Sequence, residues 1–287
     1  MRGIVLAGGH GTRLHPLTKY ISKQLLPIYD KPMIFYPLST LMLAGISDIL
    51  IISTSKDIKK YEDVIGNGSL YGMKIQYAIQ DQPRGIAESF IIGREFIGTD
   101  SVALILGDNI FHGADLKKKL QERTDNITGA CIFACQVNNP SEFGVIEFDE
   151  SGKVLKIIEK PNNPPSNYAV TGLYFFDNKV VEHASKLKPS KRNELEITDL
   201  NNIYIRNKSM HVEKLGRGFA WLDTGTPDSL HEAGTFVQIV EKRQGIKIAC
   251  LEEIAIQNRW ITKEEVKNNI NQIKSVSSYY NYLRKIL

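Results

Sequence analysis

The chain has few cysteines, and their spacing suits neither a metal site nor a disulfide framework. Cys131, Cys135 and Cys250 make an odd number among 287 residues. Disulfide scaffolds normally carry an even set of cysteines, so this count favours reduced thiols. Cys131 and Cys135 lie in an apolar run that predicts a buried strand. We therefore expect a reducing compartment, the cytoplasm.

A long apolar run and a strong charge bias are also missing. The longest apolar stretch, residues 33–46, is broken by polar residues and falls short of the roughly 20 residues that span a bilayer. The N-terminus does not have the pattern of a signal peptide. A net charge of +4 is too weak to indicate a nucleic-acid surface. Neither a membrane nor a nucleic acid is an expected partner.

Strand-like runs alternate with helix-like segments through the first half of the chain. This alternation predicts a parallel sheet covered by helices on both faces. We predict an α/β fold with a Rossmann-like, mixed but mostly parallel sheet flanked by helices, and a C-terminal helical appendage. Residues 1–240 would form the main domain and residues 241–287 an extension packed on it as one structural unit. The predicted strands are 3–7, 49–53, 75–79, 102–106 and 130–137, and the predicted helices are 34–44, 58–65, 87–96 and 116–123.

The second half of the chain has a different pattern of predicted elements. Turn signals predict a β-hairpin with strands at 145–148 and 154–159. Thr226 followed by proline predicts the start of a long helix that ends near residue 242. Thr262 with a glutamate three residues later predicts a capping box at the start of a helix over 262–269.

Two familiar phosphate loops are absent, but another glycine-rich loop is present. No Walker A motif occurs, and Leu14 stands where a dinucleotide-binding fingerprint needs its third glycine. Residues 8–13 nevertheless follow an apolar strand, and their glycines let backbone N–H groups approach a phosphate closely. Arg13 and Lys23 can neutralise phosphate oxygens. The segment indicates a triphosphate-binding loop; the glycines alone would also fit a tight turn without a ligand.

Two aspartates follow predicted strands. Asp108 comes directly after the continuously apolar strand 102–106, at the end where α/β sheets collect functional groups. Asp223 follows a predicted strand over residues 218–222 and precedes the predicted start of a long helix. Mg²⁺ is commonly held by one or two carboxylates together with substrate phosphates, so the pair predicts a metal site. Taken singly, each aspartate could also be a turn or cap residue.

Three other segments could contact a substrate. The Gln80 side chain could pair with a base edge, and Gly85 would allow close approach of the backbone. Glu159 could accept hydrogen bonds from sugar hydroxyls, and Lys160 could bind a phosphate. Arg192 lies in a basic cluster beside acidic residues. A plain loop, a solvated strand end and a surface turn are the respective alternatives.

Covalent catalysis has no support in the sequence. No Gly-x-Ser-x-Gly motif is present. His10 and His112 are expected as neighbours of the site rather than as bases. The run from Asp108 to Ile110 also lacks the Asp-x-Asp metal motif expected of a nucleotide-sugar glycosyltransferase.

Residues 6–14 and 22–27 together resemble the sugar-1-phosphate nucleotidylyltransferases. The segments 29–33, 107–109, 159–161, 194–199 and 221–226 resemble the members that use dTTP and glucose 1-phosphate. The similarity runs in order from Met1 to about residue 260. It implies the nucleotide-diphospho-sugar transferase type of fold. It also implies Mg²⁺-dependent, direct attack of α-D-glucose 1-phosphate on dTTP, giving dTDP-glucose and pyrophosphate, the first step toward dTDP-L-rhamnose and related deoxysugars.

The resemblance also assigns site residues. The catalytic residues would be Arg13, Lys23, Asp108 and Asp223, and the Mg²⁺ ligands Asp108 and Asp223. The nucleotide would contact Leu6, Gly8, Gly9, Gly11, Thr12, Arg13, Gln24, Gln80, Pro83, Gly85 and Asp108. The sugar phosphate would contact Asn109, Gly144, Glu159, Lys160, Val170, Tyr174 and Arg192.

A homotetramer, with feedback inhibition by a dTDP-sugar such as dTDP-rhamnose at a second site, is implied as well. Phe143 and Asn193 depart from the family pattern near the sugar, where tyrosine and glycine are frequent. The same reaction with UTP stays open, because a pocket discriminates one methyl group by only about 1–3 kcal/mol. A catalytically idle regulatory subunit is the alternative of a different class, although Lys23, Asp108 and Asp223 are all present.

Overall fold

The computed structural model describes residues 1–9, 11–125 and 127–287, and a large mixed β-sheet organises them. Two short two-stranded ladders, β2–β3 and β7–β13, lie outside that sheet. The strands are β1 Arg2–Leu6, β2 Pro27–Ile28, β3 Lys31–Pro32, β4 Asp48–Ser53, β5 Lys74–Ile79, β6 Val102–Leu106, β7 Asn109–Gly113, β8 Ala130–Gln136, β9 Gly144–Phe148, β10 Val154–Glu159, β11 Tyr168–Phe176, β12 Met210–Leu215 and β13 Phe219–Asp223.

Helices cover both faces of the sheet and build the C-terminal part of the chain. They are α1 Phe35–Leu43, α2 Ile58–Ile65, α3 Glu88–Ile92, α4 Arg94–Ile97, α5 Leu116–Thr124, α6 Val180–Ser185, α7 Ile197–Arg206, α8 Pro227–Gln244, α9 Leu251–Gln257, α10 Lys263–Asn271 and α11 Ser278–Ile286. Each helix in the described part of the chain is too short or too polar to cross a bilayer.

The strand order of the sheet places β1 in its interior, between β6 and β4. The order is β10-β9-β11-β6-β1-β4-β5, and β8 joins through β11 and carries β12 on its other side. Strands β6, β1, β4 and β5 are parallel, whereas β11 runs antiparallel to β6 and β8. The chain leaves β1 toward β4 on one side and later fills β6 on the other. The crevice between β1 and β6 is thus the switch point where α/β sheets bind ligands.

Alternating side chains of β6 show why this strand is apolar throughout. Ala103 and Ile105 join the core on one face, and Val102 and Leu104 join the core on the other. Because successive side chains of a strand point to opposite faces, a strand covered by helices on both sides needs apolar residues at every position. The predicted α/β class is confirmed.

The predicted cap at Thr226 and the predicted capping box at Thr262 are both present, and Thr226 also forms a capping box. The Thr226 hydroxyl accepts a hydrogen bond from the backbone of Ser229 at the start of α8, and Ser229 reciprocates. Thr262 and Glu265 make the same exchange at α10. These caps satisfy N–H groups that the first turn of a helix leaves without partners.

Several elements of the structure differ from the sequence-based prediction. The predicted helix 87–96 is two short helices, because Gly93 separates α3 from α4. Strand β7, which follows Asp108 directly, and strand β12 were not predicted. Helix α7 was not predicted; it begins at Ile197, directly after the turn that holds Arg192.

The C-terminal helices share apolar contacts with the main body. Leu251 and Ile254 of α9 belong to the same core cluster as residues of β1, β4 and α1. Tyr279 and Leu283 of α11 pack with α10 in a smaller cluster. The division at residue 240 stays a prediction. All three cysteines are free.

Candidate active site

The glycine-rich loop and Asp108 follow neighbouring strands that are in register. Leu6, the last residue of β1, pairs with Leu106, the last residue of β6. The Gly107 N–H then donates to the Leu6 carbonyl at 2.9 Å. A Cβ on Gly107 would lie 2.9 Å from Cγ of Gln24 and 3.1 Å from the Leu6 oxygen, so only glycine fits here. This close packing brings Asp108 up against the base of the loop.

Lys23 and Asp108 form the centre of the site. The Lys23 ammonium lies 2.5 Å from Oδ2 of Asp108, and the lysine side chain is only 9% exposed. Nδ2 of Asn109 donates to the other carboxylate oxygen, Oδ1, at 2.9 Å. Both oxygens of Asp108 are therefore held in fixed positions by protein donors.

Asn109 is oriented by two donors of its own. Its Oδ1 accepts from the Gly172 N–H at 3.0 Å and from Nε1 of Trp221 at 2.6 Å. Two donors on this oxygen fix which end of the amide faces Asp108. At 2% exposure the side chain serves here to position Asp108, and its contact with a sugar phosphate stays a prediction.

The second aspartate reaches the same place through the short β7–β13 ladder. Asp223 is the register partner of Asn109. Just beyond it, the Thr224 hydroxyl donates to the Asp108 carbonyl at 3.0 Å. The sequence indicated two carboxylates at separate strand ends, and this antiparallel pairing, which it did not indicate, brings them side by side.

Burial and a neighbouring carboxylate change the pKa of Asp223. Burial and then the negative charge of Asp108 raise the pKa of Asp223 to about 6, against the opposing influence of Lys23 and Arg13. The Arg13 guanidinium also lies beside Gly225, because a Cβ on that glycine would be 3.0 Å from a guanidinium nitrogen. The four residues predicted as catalytic therefore share one site. Two carboxylates whose charges repel each other suit a divalent cation bound between them.

The loop after β1 takes the backbone conformation that its glycines permit. Gly9 has φ +95° and Gly11 has φ +57°, both in the left-handed region. The Gly11 carbonyl accepts a hydrogen bond from the Thr18 hydroxyl at 2.6 Å. Thr12 and Arg13 begin a short 3₁₀ turn and are exposed. His10 lies outside the described residues.

Gln24 supports the glycine-rich loop through hydrogen bonds. Its Oε1 accepts hydrogen bonds from the hydroxyls of Ser22 at 2.8 Å and Tyr61 at 3.1 Å. Its amide nitrogen is 3.3 Å from the Gly8 carbonyl. Ser22 and Tyr61 were not predicted from the sequence, and the local pattern carries no signal for the distant Tyr61. A direct contact of Gln24 with the nucleotide stays a prediction.

Gln80 lies at the end of β5, next to the same loop. Its Oε1 would be 3.1 Å from a Cβ placed on Gly8, so the amide oxygen faces the glycine loop. Its Nε2 donates to Glu88 at 2.8 Å. Position 85 has a φ of +101° and needs glycine, because a Cβ placed there would lie 2.4 Å from the Leu195 carbonyl oxygen. Base contacts of Gly85 and of the exposed Pro83 stay predictions.

The residues predicted for the sugar gather at the ends of β9 and β10. A Cβ on Gly144 would lie 3.4 Å from Glu159. Oε2 of Glu159 accepts from the Thr198 hydroxyl at 2.7 Å. The Arg192 guanidinium is 3.5 Å from Oε1 of Glu159 and bonds Glu196 at 2.8 Å. The structure therefore brings Gly144, Glu159 and Arg192 together, with Thr198 and Glu196 as supports.

The remaining sugar-site candidates lie around this cluster. The Lys160 N–H donates to the Phe143 carbonyl at 3.0 Å, and its side chain is exposed. Val170 and Tyr174 are buried on β11. Burial, then the charges of Glu159 and Asp108, raise the pKa of Tyr174 well above its usual value, which places this tyrosine near both carboxylates.

The metal-ligating groups of the site are few. Within the described ranges no cluster of three or more histidine, cysteine or acidic side chains could enclose a metal ion. Asp108 and Asp223 supply hard oxygen ligands only, the kind that Mg²⁺ takes when phosphates and waters complete its shell. The donor set therefore fits Mg²⁺ better than zinc, which prefers nitrogen and sulfur ligands.

Comparisons with known proteins agree with this geometry. The nucleotidyl transferase family model matches residues 2–239. The chain is 54% identical to a glucose-1-phosphate thymidylyltransferase of Neisseria meningitidis serogroup A, over 100% of this chain and 99% of that protein. A Bacillus anthracis crystal structure, provisionally assigned the same activity and bound to sucrose, has a TM-score of 0.77 at 39% identity, covering 82% of this chain and 94% of that one. A UDP-glucose pyrophosphorylase with UDP-glucose has a TM-score of 0.72 at 28% identity, covering 84% and 99%.

Proposed function

Because the chain belongs to the nucleotidyl transferase family, we propose that it transfers a dTMP group from dTTP to α-D-glucose 1-phosphate. One observation carries the chemistry: Lys23, Asp108, Asp223 and Arg13 meet at the carboxyl ends of β1 and β6, beside a loop of glycines. Full-length similarity to a relative named for this reaction supports the choice of substrates.

The reaction is a single displacement at phosphorus. A phosphate oxygen of glucose 1-phosphate attacks the α-phosphorus of dTTP, and the bond from that phosphorus to the bridging oxygen breaks. The electron pair leaves with pyrophosphate, and dTDP-glucose is formed. No side chain has to form a covalent intermediate. This fits the described residues of the site, which are cations and carboxylates without an activated nucleophile among them.

Bringing two polyanions together is the main task of the site. Lys23 would neutralise the reacting phosphates, and Arg13 would stabilise the departing pyrophosphate. Holding two reactants in the attacking geometry can contribute roughly 7–11 kcal/mol to lowering the barrier. The buried position of Lys23 strengthens its charge toward a phosphate, because water screens it little.

Asp108 and Asp223 would hold Mg²⁺. The ion would supply positive charge at the α-phosphate. Asn109 and Trp221 would keep Asp108 oriented whether or not the ion is bound, since their hydrogen bonds are made within the protein.

The substrates would occupy opposite sides of the Asp108–Asp223 pair. The nucleotide would lie along the glycine loop, with its base at Gln80 and its contacts drawn from Leu6, Gly8, Gly9, Gly11, Thr12, Arg13, Gln24, Pro83 and Gly85. The sugar phosphate would lie toward β9–β11, with contacts from Asn109, Gly144, Glu159, Lys160, Val170, Tyr174 and Arg192.

UTP is a second candidate donor. The structural likeness to a UDP-glucose pyrophosphorylase favours it. Thymine and uracil also present the same hydrogen-bonding edge to Gln80 and differ only in one methyl group. We place dTTP first because the relative matched over its full length is named for thymidylyl transfer.

The assembly and regulation are also part of the proposal. We propose a cytoplasmic homotetramer that a dTDP-sugar inhibits at a second site, as the resemblance to the family implies. Sedimentation equilibrium tests the tetramer. Inhibition by dTDP-rhamnose that stays constant as dTTP is raised to saturation supports a separate site, whereas competition with dTTP points to the active site alone.

A substrate panel tests the proposed reaction. Pyrophosphate release would be measured for dTTP, UTP, dCTP and dATP against glucose 1-phosphate and galactose 1-phosphate, with Mg²⁺ or with a chelator. We expect the dTTP and glucose 1-phosphate pair to be fastest and the chelator to abolish release. Greater kcat/KM with another pair, or full rates under chelation, would contradict the proposal.

A further inference from the structure

Glu88 and Arg84 give Gln80 a single amide orientation. Oε2 of Glu88 accepts from Nε2 of Gln80 at 2.8 Å, and Oε1 accepts from Nε of Arg84 at 2.6 Å. The Gly85 carbonyl lies 3.4 Å from the same Nε2. Both acceptors are on the nitrogen side of the amide, so both N–H bonds of Gln80 are directed into the protein.

The amide oxygen of Gln80 is the group left for a ligand. In the part of the chain that the structure describes, no residue donates a hydrogen bond to it. It faces the glycine loop, 3.1 Å from where a Cβ of Gly8 would be. Gln80 is only 5% exposed, so the oxygen is presented at the edge of the site by an otherwise buried side chain.

An uncharged amide could normally rotate by half a turn and exchange donor for acceptor. Here that rotation would place Oε1 of Gln80 against the Glu88 carboxylate, which is ion-paired with Arg84 and can only accept. Two oxygens would then face each other without a proton, at a position where Glu88 is itself buried. A buried polar group left without a partner is costly, so the orientation is fixed.

We propose that Glu88, neutralised by Arg84, is a positioning residue. It restricts Gln80 to accepting a hydrogen bond from the base, and so favours thymine or uracil over cytosine in the donor nucleotide. The inference rests on the proposed function, in which Gln80 reads the base. Thymine and uracil carry an N3–H that can donate to Oε1 of Gln80. Cytosine has a bare N3 that would face the same oxygen, and the Glu88 carboxylate prevents the amide from turning its N–H groups toward it.

Exchanging the carboxylate for an amide tests this role. In Glu88→Gln, residue 88 can donate or accept, so Gln80 can present either end of its amide. We expect the ratio of kcat/KM for dTTP over dCTP, with glucose 1-phosphate as acceptor, to fall about tenfold or more, mainly through a lower KM for dCTP. Glu95→Gln is the matched control on the exposed side of α4 and should leave the ratio unchanged. A Glu88→Gln ratio within twofold of the wild type, at measurable turnover, would overturn the proposal.

The wild-type protein provides a measurement that does not depend on how a variant folds. Competition binding would compare dTTP with N3-methyl-dTTP and dCTP, neither of which can donate from N3. The proposal requires both to bind at least about tenfold more weakly than dTTP, and equal binding would overturn it. Wild-type protein that selects dTTP in binding but makes no dTDP-glucose would instead refute the proposed reaction and leave the role of Glu88 standing.

Discussion

The ammonium of Lys23 lies 2.5 Å from Oδ2 of Asp108, across 85 residues of chain. The cation proposed for the phosphates and the carboxylate proposed for a metal are thus ion-paired with each other. Both are pre-positioned, and no side chain has to travel far when ligands enter.

Removing the Lys23 charge should slow catalysis strongly. Lys23→Met keeps the length and apolar stem of a buried side chain but cannot neutralise a phosphate. We expect kcat to fall by about 10²- to 10³-fold, the scale found when one transition-state contact is lost. Steady-state pyrophosphate release measures it, with the exposed Lys56→Met as the control that keeps full activity. Turnover within a few fold of the wild type would remove Lys23 from the chemistry.

Replacing either aspartate should weaken the binding of Mg²⁺ at the site. In Asp108→Asn and Asp223→Asn, one negative ligand becomes a neutral amide, so we expect a higher Mg²⁺ concentration for half-maximal rate and a kcat lowered by about 10²-fold or more. Titration of the rate with MgCl₂ tests this. Asp100→Asn, which removes an exposed carboxylate paired with Arg2, should titrate like the wild type. Unchanged Mg²⁺ curves for both site variants would mean that the ion binds elsewhere.

The raised pKa of Asp223 should appear in the pH dependence of stability. Burial and the charge of Asp108 raise this pKa to about 6 in the folded protein, from an ordinary 3.8. The folded state therefore binds the proton more tightly than the unfolded state. The resulting stabilisation is fully present below about pH 4 and is lost as the pH rises through 6, by roughly 1–3 kcal/mol.

Urea unfolding in a chelator at pH 5 and pH 7 checks this prediction. The free energy of unfolding of Asp223→Asn should lack this contribution, so the variant should gain less on going from pH 7 to pH 5 than the wild type does. Asp100→Asn controls for the loss of a carboxylate elsewhere. Identical pH dependence in wild type and Asp223→Asn would show that this carboxyl titrates normally.

A buried charge network should matter for stability rather than for turnover. Lys31 and Glu241 are 2% and 3% exposed and lie 3.0 Å apart, and Lys247 bonds Glu241 at 2.6 Å. Glu241→Gln would leave two buried ammonium groups, Lys31 and Lys247, sharing Asp30 as their remaining ion-pair partner among the described residues. Breaking a buried pair in this way costs about 3–5 kcal/mol.

Chemical denaturation measures this cost against a matched variant. Glu62→Gln removes the same charge from an exposed pair with Lys59, where we expect under about 1 kcal/mol. The kcat of folded Glu241→Gln should stay at the wild-type value at 25 °C. Equal losses of stability in the two variants would contradict the importance of the buried network.

The protein should prefer dTTP over dUTP as the donor nucleotide, but by a limited factor in kcat/KM. Since thymine and uracil differ at one methyl group, we expect kcat/KM for dTTP to exceed that for dUTP by about 10- to 200-fold. Comparing dTTP with dUTP isolates the methyl group, and comparing dUTP with UTP isolates the sugar hydroxyl. A preference for dUTP over dTTP would mean that no pocket receives the methyl group.

Much of the fold could be predicted from local pattern. The alternation of apolar runs with helical segments gave the α/β class, and Thr226 and Thr262 marked helix starts because capping is a local interaction. Strand β7 was missed because it follows Asp108 without a break, and its partner β13 lies more than a hundred residues away. Such long-range pairing leaves little trace in the residues of one strand.

The charged centre of the site was predictable, whereas its supports were not. Asp108 and Asp223 stand out because they follow apolar strands, and Lys23 stands out because it follows the glycine-rich loop. The contact of Asn109 with the sugar phosphate stays a prediction, whereas its role in orienting Asp108 together with Trp221 was not predicted. Glu88 resembles any helical glutamate in the sequence, and only its hydrogen bond to Gln80 distinguishes it.

The central claim is a single in-line displacement at the α-phosphorus, and its stereochemical course tests that claim most directly. The protein would be given one diastereomer of dTTP with sulfur at the α-phosphorus, and the configuration of the dTDP-glucose analogue would be read by ³¹P NMR. We predict inversion at phosphorus, because one attack occurs opposite the leaving pyrophosphate. Retention would contradict the account, since it requires two displacements through a nucleotidyl-protein intermediate.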